Sequence, residues 1–350
     1  MLKGHSAGIG DILRSSAAWR ALKKAFPKTE LHLALFTWEP GYPSISFIAR
    51  HHLLRGFFCV DKGICRLRAW RKLRAWANHA ARTVRPDLVI DFESAGLYSA
   101  LAAWQLGRAG GAATAGIGEF PLRGAFYDIV SVSKAEFARR RGLEYPLEYT
   151  YRDFVCLSAL NIERNGLAIE LEETNEGRLF RESFRERFRI PSGATIIGVN
   201  IGCGTPGAIG KRPNLKYLLA LVQEASSGRE AAVVLTGAKF ERDVNQEFLG
   251  LWPANGKPLP LDLAGQTSLF ELSGLIRACD LFISTDSGPY HLSVALGVPT
   301  LAIFRYDNRI QFHREKHVRC VLLEKEEHLA GAIQAAEELL PRRRGLLPIN

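Results

Sequence analysis

The chain has 350 residues, of which 47% are hydrophobic and 23% charged, a composition typical of a globular protein. Chains beyond about 250–300 residues usually divide into domains, so we expect two. No run of about 18 apolar residues is present, which excludes a membrane-spanning helix. The six cysteines show no CxxC spacing, which argues against a zinc site or a disulfide framework. The opening residues lack the apolar core of a secretory signal, so we expect a cytoplasmic protein with buried, reduced thiols.

The net charge of +10 is unevenly distributed. The segment from Lys62 to Pro86 contains lysines and arginines but no acidic residue, which indicates an anionic partner nearby. No nucleic-acid-binding motif accompanies this charge, so we predict no nucleic-acid partner. Apolar residues from Leu67 to Ala77 fall at near-helical spacing among the cations. This pattern fits an anionic membrane surface or a phosphorylated acceptor, and it fits equally a solvated helix that packs its aromatic side on the core.

Strand-like and helical patterns alternate in two blocks along the chain. The first block predicts, in order, a helix over 15–26, strands over 30–36 and 56–60, a helix over 69–84, a strand over 87–92 and a helix over 97–107. The second predicts a strand over 195–202, a helix over 214–226, a strand over 231–237, helices over 241–252 and 269–279, and strands over 281–284 and 300–304. This alternation is typical of α/β proteins with parallel sheets. We therefore predict two Rossmann-like domains, over residues 1–170 and 190–350, whose sheets face a central cleft.

The motif STDSGPYH lies between two predicted buried strands. Ser287 and Gly288 let the backbone at the start of a helix approach a phosphate closely, and Pro289 suits the first helical turn. Asp286 would repel phosphate, so it makes better sense as an acceptor for sugar hydroxyls. His291 either donates to a phosphate oxygen or fixes the turn.

A glycine-rich loop, GCGTPGAIGKRP, follows the strand over 195–202. Small residues such as Thr205 and a terminal cation, Lys211, suit a diphosphate that no metal neutralises. The spacing does not match the P-loop motif GxxxxGK[ST], because Pro213 follows Lys211 and Arg212, so we exclude a P-loop. The alternative is an exposed basic loop.

The opening AGIGDIL contains half of a dinucleotide fingerprint, with Gly10 in place and Leu13 where the third glycine would stand. Asp11 opens a helix there, and the helix dipole would stabilise it by about 0.3–1 kcal/mol. The functional alternative makes Asp11 a base that faces the cleft.

Glu241 follows a glycine at the end of a predicted strand. A carboxylate at this place accepts both hydroxyls of a ribose in nucleotide-binding βαβ units. The alternative is a glutamate favoured by the helix dipole.

The segment LDLAGQTSLFELSGLIRACDLFISTDSGPYHLSVALGVPTLAIF resembles the signature region of glycosyltransferase family 9, which contains the lipopolysaccharide core heptosyltransferases. The opening GIGDILRSSAAWRALKKAFP looks like the GD motif and first helix of that family. RPDLVIDFESAGLYSALAAW is similar to its mid-domain strand and helix. The resemblance thus extends over most of the chain.

This resemblance implies a GT-B fold, with the donor on the C-terminal domain and the acceptor on the N-terminal domain. It implies transfer of heptose from ADP-heptose to a hydroxyl of a lipopolysaccharide core acceptor, with inversion and with neither metal nor cofactor. The partners are then a nucleotide-sugar donor and an anionic glycan or glycolipid, with peripheral contact to the inner face of the plasma membrane.

Individual roles follow from matching positions of the family's motifs. The aspartate of the GD motif, the proposed base of the family, corresponds to Asp11. The donor-binding set becomes Gly10, Thr205, Lys211, Glu241, Asp286, Ser287, Gly288 and His291. The family motifs name no acceptor contacts, and the basic segment supplies the candidates Arg66, Arg68, Arg71 and Arg74.

The chain departs from the family pattern in three places. Only MLKGHS precedes the GD loop, so the usual first strand is expected to be truncated, shifted or lost. After Phe304 the sequence continues RYDNRIQFH instead of a glycine and a short polar loop. Tyr290 stands where a smaller residue is common, which we interpret as bearing on sugar choice.

Three other functions compete with this one. The same fold could use another nucleotide-sugar, or a non-catalytic member could bind glycan or an anionic surface through its basic N-terminal domain. A nicotinamide dehydrogenase is the most distant reading, because the third fingerprint glycine is missing.

Overall fold

The computed structural model describes residues 1–4, 8–65, 69–203, 206–253 and 258–340. The chain divides into two compact units, Met1–Ile169 and Glu170–Asn350. Each contains a six-stranded, parallel sheet with helices packed on it. The predicted α/β class with two Rossmann-like units is confirmed.

The first unit is built on the strand order β3-β2-β1-β4-β5-β6. Its strands are β1 (Leu2–Gly4), β2 (His32–Thr37), β3 (Gly56–Asp61), β4 (Leu88–Asp91), β5 (Ala113–Ile117) and β6 (Ile129–Ser131). Its helices are α1 (Ile9–Leu13), α2 (Ser16–Ala25), α3 (Pro43–Ile48), α4 (Trp70–Val84), α5 (Tyr98–Gly110), α6 (Pro121–Gly124), α7 (Lys134–Arg141) and α8 (Tyr149–Leu157).

The second unit repeats this topology, with the order β12-β11-β10-β7-β8-β9. Its strands are β7 (Thr195–Asn200), β8 (Ala231–Thr236), β9 (Leu261–Asp262), β10 (Leu281–Thr285), β11 (Thr300–Phe304) and β12 (Val318–Leu322). Its helices are α9 (Asn175–Arg187), α10 (Leu215–Ser226), α11 (Arg242–Gly250), α12 (Leu269–Ala278), α13 (Gly288–Ala295) and α14 (Leu329–Leu339).

The first strand of the chain is present but short. β1 has three residues and lies at the centre of its sheet, where Leu2 pairs with Ala34 of β2 and with Asp91 of β4. Leu2 is fully buried. The strand that we expected to be truncated, shifted or lost is therefore a three-residue central strand.

The strand order in each sheet reverses at one point, between β1 and β4 in the first unit and between β7 and β10 in the second. The helices that follow the two strands at such a point leave on opposite faces of the sheet, so a crevice opens at the carboxyl ends of the strands. Ligands of open α/β sheets bind in this crevice. Each unit therefore has one place where the topology favours a binding site.

The core of the second unit lies on its central strands. Every residue of β10 and β11 is buried, as expected for parallel strands covered by helices on both faces. Three cysteines in the two units, Cys156, Cys203 and Cys279, are buried thiols as expected, whereas Cys59 is exposed.

The charged segment over residues 171–189, between the two predicted domains, contains α9, which packs on α12 within the second unit. The two helices meet at glycines. A Cβ added to Gly274 would lie 2.0 Å from the backbone oxygen of Gly177, closer than any real contact. The helices therefore approach backbone to backbone, which only residues without a side chain allow.

Residues 70–84 of the basic segment form α4, whose inner face packs on the core and on α5. Leu73 and Ala77 are buried there, while Arg71 and Arg74 are exposed. Trp70 is 39% exposed. The apolar spacing thus marks a core-facing helix side, with the cations in solvent. Across the described residues, no helix is long and apolar enough to cross a membrane.

We predict that Gly274→Ala destabilises the second unit by about 1–3 kcal/mol, because the added methyl group overpacks the contact between α9 and α12. The matched control is Gly331→Ala in α14, where an added Cβ meets nothing within 4 Å. Gly331→Ala should stabilise the second unit by about 0.5–1 kcal/mol, because alanine has a higher helix propensity than glycine. Thermal unfolding of both variants measures the difference, and equal melting temperatures would refute the close packing.

Candidate functional site

The carboxyl ends of three strands in the second unit are tied together by Asn200, the last residue of β7. Its Nδ2 donates to the Gly202 oxygen at 2.9 Å and to Ser287 Oγ at 3.2 Å. Its Oδ1 accepts from Thr236 Oγ1 at 3.1 Å, at the end of β8. Asn200 is only 2% exposed. The buried Asn200 amide therefore fixes the loop after β7 and the loop after β10, at the point where the strand order reverses.

Helix α13 begins at this point with its first backbone N–H groups uncapped by the preceding side chain. Ser287 is the N-cap residue, yet its hydroxyl donates to the Thr285 oxygen at 3.1 Å and makes no capping bond to the helix. Gly288 and Pro289 form the first turn, as the motif predicts. The N-terminus of α13 thus keeps the donors and the positive end of the dipole that an anion needs.

Lys211 and Asp286 form an ion pair beside this helix. Lys211 Nζ lies 2.8 Å from Asp286 Oδ2, which also accepts from Asn308 Nδ2 at 3.2 Å. Half-burial disfavours the charge of the Lys211 amine, but the hydrogen bond and charge of Asp286 outweigh that cost and raise its pKa. Lys211 therefore carries a positive charge at neutral pH. Asp286, which is predicted to accept sugar hydroxyls, thus uses one carboxylate oxygen to bind Lys211.

The segment after β11 that departs from the family pattern folds onto this site. It supplies Asn308 to Asp286, and it places His313 Nε2 at 2.9 Å from His291 Nδ1. The Tyr290 hydroxyl accepts from the His313 backbone N–H at 2.9 Å, and Tyr290 is fully buried. Tyr290 therefore fixes this segment, and its bearing on sugar choice stays a prediction.

Sequence reasoning did not identify Asn308 and His313 as site residues. The sequence did carry one signal. Asn308 and His313 lie in the segment RYDNRIQFH, where the family pattern has a glycine and a short polar loop. Their partners, Asp286 and His291, are more than ten positions away along the chain, so the contacts became evident only in the folded unit.

Glu241 lies at the carboxyl end of β8 and is 3% exposed. Its Oε2 accepts from the Ala238 N–H at 2.7 Å, a local bond at the start of the short helix that contains it. A Cβ on Gly202 would lie 1.8 Å from Glu241 Oε1, so this carboxylate presses against the loop after β7. Its position beside the crevice is compatible with ribose binding, which stays a prediction. Thr205, the other predicted donor contact on that loop, lies outside the described residues.

The first unit has a pocket of about 270 Å³ at the carboxyl ends of β1, β4 and β5. Asp11 lines it from α1, one residue after the buried Gly10. The pocket also contains Glu93, whose Oε1 accepts from the Gly4 N–H at 2.8 Å. The predicted base thus lies in the crevice at the strand reversal of its own unit.

Four cations line this pocket against two carboxylates. The cations are Lys3, Lys62, Lys134 and Arg152, and the carboxylates are Asp11 and Glu93. Burial disfavours the charge of Lys3, but Asp153, at 2.5 Å, and Glu93 outweigh it and raise the pKa of that amine. The pocket therefore has an excess of positive charge and favours an anionic ligand.

The pocket cations differ from those that the sequence suggested. Arg71 and Arg74 are exposed on α4 and do not line the pocket, and Arg66 and Arg68 lie outside the described residues. Lys62 is the first residue of the basic segment, whereas Lys3, Lys134 and Arg152 are scattered from β1 to α8 and no local charge pattern marked them. Within the described ranges, no group of three or more His, Cys, Asp or Glu residues is arranged to hold a metal ion.

Comparison with known proteins gives a family match over part of the chain. Residues 216–336 match the family model "Glycosyltransferase family 9 (heptosyltransferase)". Lipooligosaccharide heptosyltransferase 2 of Campylobacter jejuni is 28% identical over 148 residues, which cover 42% of this chain and 46% of that protein. Lipopolysaccharide core heptosyltransferase OpsX of Haemophilus influenzae is 38% identical over 52 residues, 15% of either chain. The matched part thus spans less than half the length of these relatives.

Solved structures share the fold over nearly the whole chain. A glycosyl transferase family 9 protein from Veillonella parvula has a TM-score of 0.71 at 17% identity, covering 97% of this chain and 96% of that one. The E. coli ADP-heptose lps heptosyltransferase II has a TM-score of 0.64 at 18% identity, covering 97% of both chains. E. coli heptosyltransferase WaaC with ADP has a TM-score of 0.62 at 17% identity, covering 97% and 99%. The predicted GT-B fold class is confirmed.

We predict that Asn200→Asp destabilises the second unit by at least ~1–3 kcal/mol, because the variant loses both donors and places a buried carboxylate against the Gly202 oxygen. Asn214→Asp is the matched control, since Asn214 is the exposed N-cap of α10 and aspartate caps equally well. Its effect should stay within about 0.5 kcal/mol. Melting temperatures report both changes, at about 2–4 °C per kcal/mol. A tolerated Asn200→Asp would mean that the amide does not hold the loops.

Proposed function

We propose that this protein is an inverting glycosyltransferase, because residues 216–336 match the model of glycosyltransferase family 9. It transfers heptose from ADP-heptose to a hydroxyl of an anionic acceptor of the lipopolysaccharide core type. The donor binds to the second unit, at residues 170–350, and the acceptor to the first. The names of the similar proteins support the sugar and the nucleotide.

The observation that carries this proposal is the Lys211–Asp286 pair beside the N-terminus of α13. Transfer from a nucleotide-sugar breaks the bond between the sugar carbon and the diphosphate, which leaves with increased negative charge. A fixed ammonium group and backbone N–H groups stabilise charge that develops in the transition state. Lys211 and the first turn of α13 supply both at one place, so the protein itself provides the positive charge and the proposed reaction uses neither metal nor cofactor.

Asp11 is the proposed base. An acceptor hydroxyl is a weak nucleophile at neutral pH, and a carboxylate that removes its proton as the new bond forms accelerates attack by roughly 10²–10⁴-fold. The hydroxyl oxygen attacks the sugar carbon opposite the departing diphosphate, and this single displacement inverts the configuration. The position of Asp11 in the pocket of the first unit supports this role.

The acceptor is proposed to place its hydroxyl in this pocket and its acidic groups against the pocket cations. Lys62, Lys134 and Arg152 come from three different parts of the chain and converge on the lining. They are proposed as further candidates for acceptor contacts, while the roles of Arg66, Arg68, Arg71 and Arg74 stay predictions.

Contact with the inner face of the plasma membrane stays a prediction. The exposed cations of α4 and the partly exposed Trp70 suit an anionic lipid surface.

The first test is calorimetric titration of ADP, UDP and GDP, in EDTA and then with magnesium. ADP should bind in preference, with an affinity indifferent to magnesium. Lys211→Ala should weaken ADP binding by about 10–100-fold, because it removes a charged hydrogen bond of about 1.5–3 kcal/mol. Lys216→Ala, a nearby exposed lysine on α10, is the control and should leave the affinity unchanged.

Preference for UDP or GDP would favour a different nucleotide-sugar donor on the same fold. Binding of none of the three would favour the non-catalytic reading. Equal ADP affinity in Lys211→Ala and the control would refute the diphosphate site.

Asp11→Asn is predicted to reduce transfer by about 10²–10⁴-fold, because the amide cannot accept the hydroxyl proton. The measurement is ADP release from ADP-heptose in the presence of heptose-deficient lipopolysaccharide, with ADP affinity determined in parallel. Asp87→Asn is the matched control, since Asp87 is an exposed carboxylate just before β4. Transfer by a folded Asp11→Asn variant at the unaltered rate would exclude Asp11 as the base.

A further inference from the structure

The carboxylate of Glu93 has a fixed place in the pocket of the first unit, at the end of the central strand β1. Its Oε1 accepts from the Gly4 N–H at 2.8 Å, and its Oε2 accepts from the Tyr98 hydroxyl at 3.3 Å. A Cβ added to Gly4 would lie 2.5 Å from the Tyr98 hydroxyl oxygen and 3.2 Å from Glu93 Oε1. The glycine therefore lets both side chains close on the end of β1.

A buried ion pair between Asp91 and Arg123 holds the backbone of Glu93. Both charged side chains are fully buried. Asp91 Oδ1 accepts from the Glu93 N–H at 2.9 Å, while Asp91 Oδ2 accepts from Arg123 Nη2 at 2.8 Å. The same Nη2 donates to the Glu93 carbonyl oxygen at 2.6 Å. One ion pair thus binds both polar backbone groups of Glu93.

The ion pair also holds the rest of the loop between β4 and α5. Arg123 donates to the Gly96 carbonyl oxygen and, at 3.1 Å, to Ser99 Oγ. The Tyr127 hydroxyl donates to Asp91 Oδ2 at 2.6 Å. A planar guanidinium group suits several fixed acceptors at once. Glu93 therefore reaches the pocket on a preorganised loop, which lowers the entropic cost of binding a ligand there.

The Glu93 carboxylate has further capacity to accept hydrogen bonds. An ionised carboxylate offers about four lone-pair sites on its two oxygens. The bonds from Gly4 and Tyr98 use one site on each oxygen. A ligand in the pocket can therefore donate to Glu93 without displacing either bond.

The charge of this group determines which part of an acceptor it suits. The pocket cations attract acidic groups, whereas the Glu93 carboxylate repels them and accepts hydrogen bonds from neutral hydroxyl groups. The pocket thus offers two kinds of contact, a cationic one for acidic groups and a carboxylate for a hydroxyl group. Asp11, the proposed base, is the other carboxylate in the lining.

We propose that Glu93 is a specificity-determining residue that binds a second hydroxyl group of the acceptor, distinct from the hydroxyl that attacks the sugar carbon. This inference rests on the proposed function. Asp11 removes the proton of the attacking hydroxyl, and Glu93 fixes the orientation of the acceptor by accepting from its neighbour. An acceptor that lacks the second hydroxyl should bind about 10–100-fold more weakly, as expected for a lost hydrogen bond to a charged group.

The test is the rate of ADP release at saturating ADP-heptose with varied heptose-deficient lipopolysaccharide. Glu93→Gln keeps the size of the side chain and an oxygen for the Gly4 N–H, but it removes the charge. Glu93→Asp keeps the charge but withdraws the carboxylate by one methylene group. Each variant should raise the KM for lipopolysaccharide by about tenfold, because a hydrogen bond to a charged acceptor is lost or weakened.

The kcat and the calorimetric ADP affinity of both variants should stay unchanged. A higher KM at the same kcat reports lost acceptor binding that is equal in the ground state and the transition state. ADP is proposed to bind to the second unit, so its affinity also shows that the variants are folded. A merely structural role for Glu93 would not separate KM from kcat in this way.

Glu144→Gln is the matched control. Glu144 is an exposed carboxylate in the first unit and does not line the pocket. Its substitution changes the net charge of the protein as Glu93→Gln does, so it accounts for general attraction of the anionic lipopolysaccharide. The KM should stay unchanged in this variant.

An unaltered or lowered KM in either Glu93 variant would overturn the inference and leave the proposed function standing. A lower kcat at an unaltered KM would overturn it as well, because Glu93 would then act on the reaction and not on acceptor binding. If one variant does not fold, the KM of the other decides. Absence of ADP release by the unaltered protein would overturn both the inference and the proposed function.

Discussion

The reversal of strand order in each parallel sheet is the constraint on which the rest of this structure depends. Between β1 and β4, and between β7 and β10, the connecting helices leave on opposite faces and open a crevice at the strand ends. Asp11 follows β1, and Asp286 follows β10. Residues from distant parts of the sequence therefore come together in each unit because the carboxyl ends of neighbouring parallel strands share one edge.

Charge balance determines what each crevice suits. In the second unit, the Lys211 ammonium and the uncapped N-terminus of α13 provide positive charge, and Asp286 holds the lysine in place. In the first unit, cations outnumber carboxylates, and Asp153 stabilises the charge of Lys3. Each crevice therefore combines positive charge, which suits an anionic ligand, with a carboxylate. In the second unit, Asp286 positions Lys211. In the first unit, Asp11 is suited to accept a proton.

Buried polar groups keep these sites in one arrangement. Asn200 makes hydrogen bonds to three neighbours at the strand ends, and the segment after β11 is held through the hydroxyl of Tyr290. A buried polar group without a partner costs about 1–3 kcal/mol, so such networks resist rearrangement. The crevice of the second unit is preorganised for the same reason.

Periodicity and turn chemistry were sufficient to predict most of the longer helices and strands, the α/β class and the helix start at Ser287. These features are local, since amphipathic spacing and an N-terminal proline act within a few residues. Edge strands such as β6 and β9 were not predicted, because two or three residues carry too little pattern. The short β1 was uncertain for the same reason, although its pairing on both sides makes it a central strand.

The sequence by itself determined the two-unit α/β plan, the family resemblance and the candidate roles of Asp11, Lys211 and Asp286. Only the tertiary structure decided which partners those residues have. Asn308 and His313 reach the second site, and Lys134 and Arg152 reach the pocket of the first, from places with no local signal. The reason is physical: local patterns encode how a segment folds, whereas contacts between segments depend on strand order and helix packing across the whole unit.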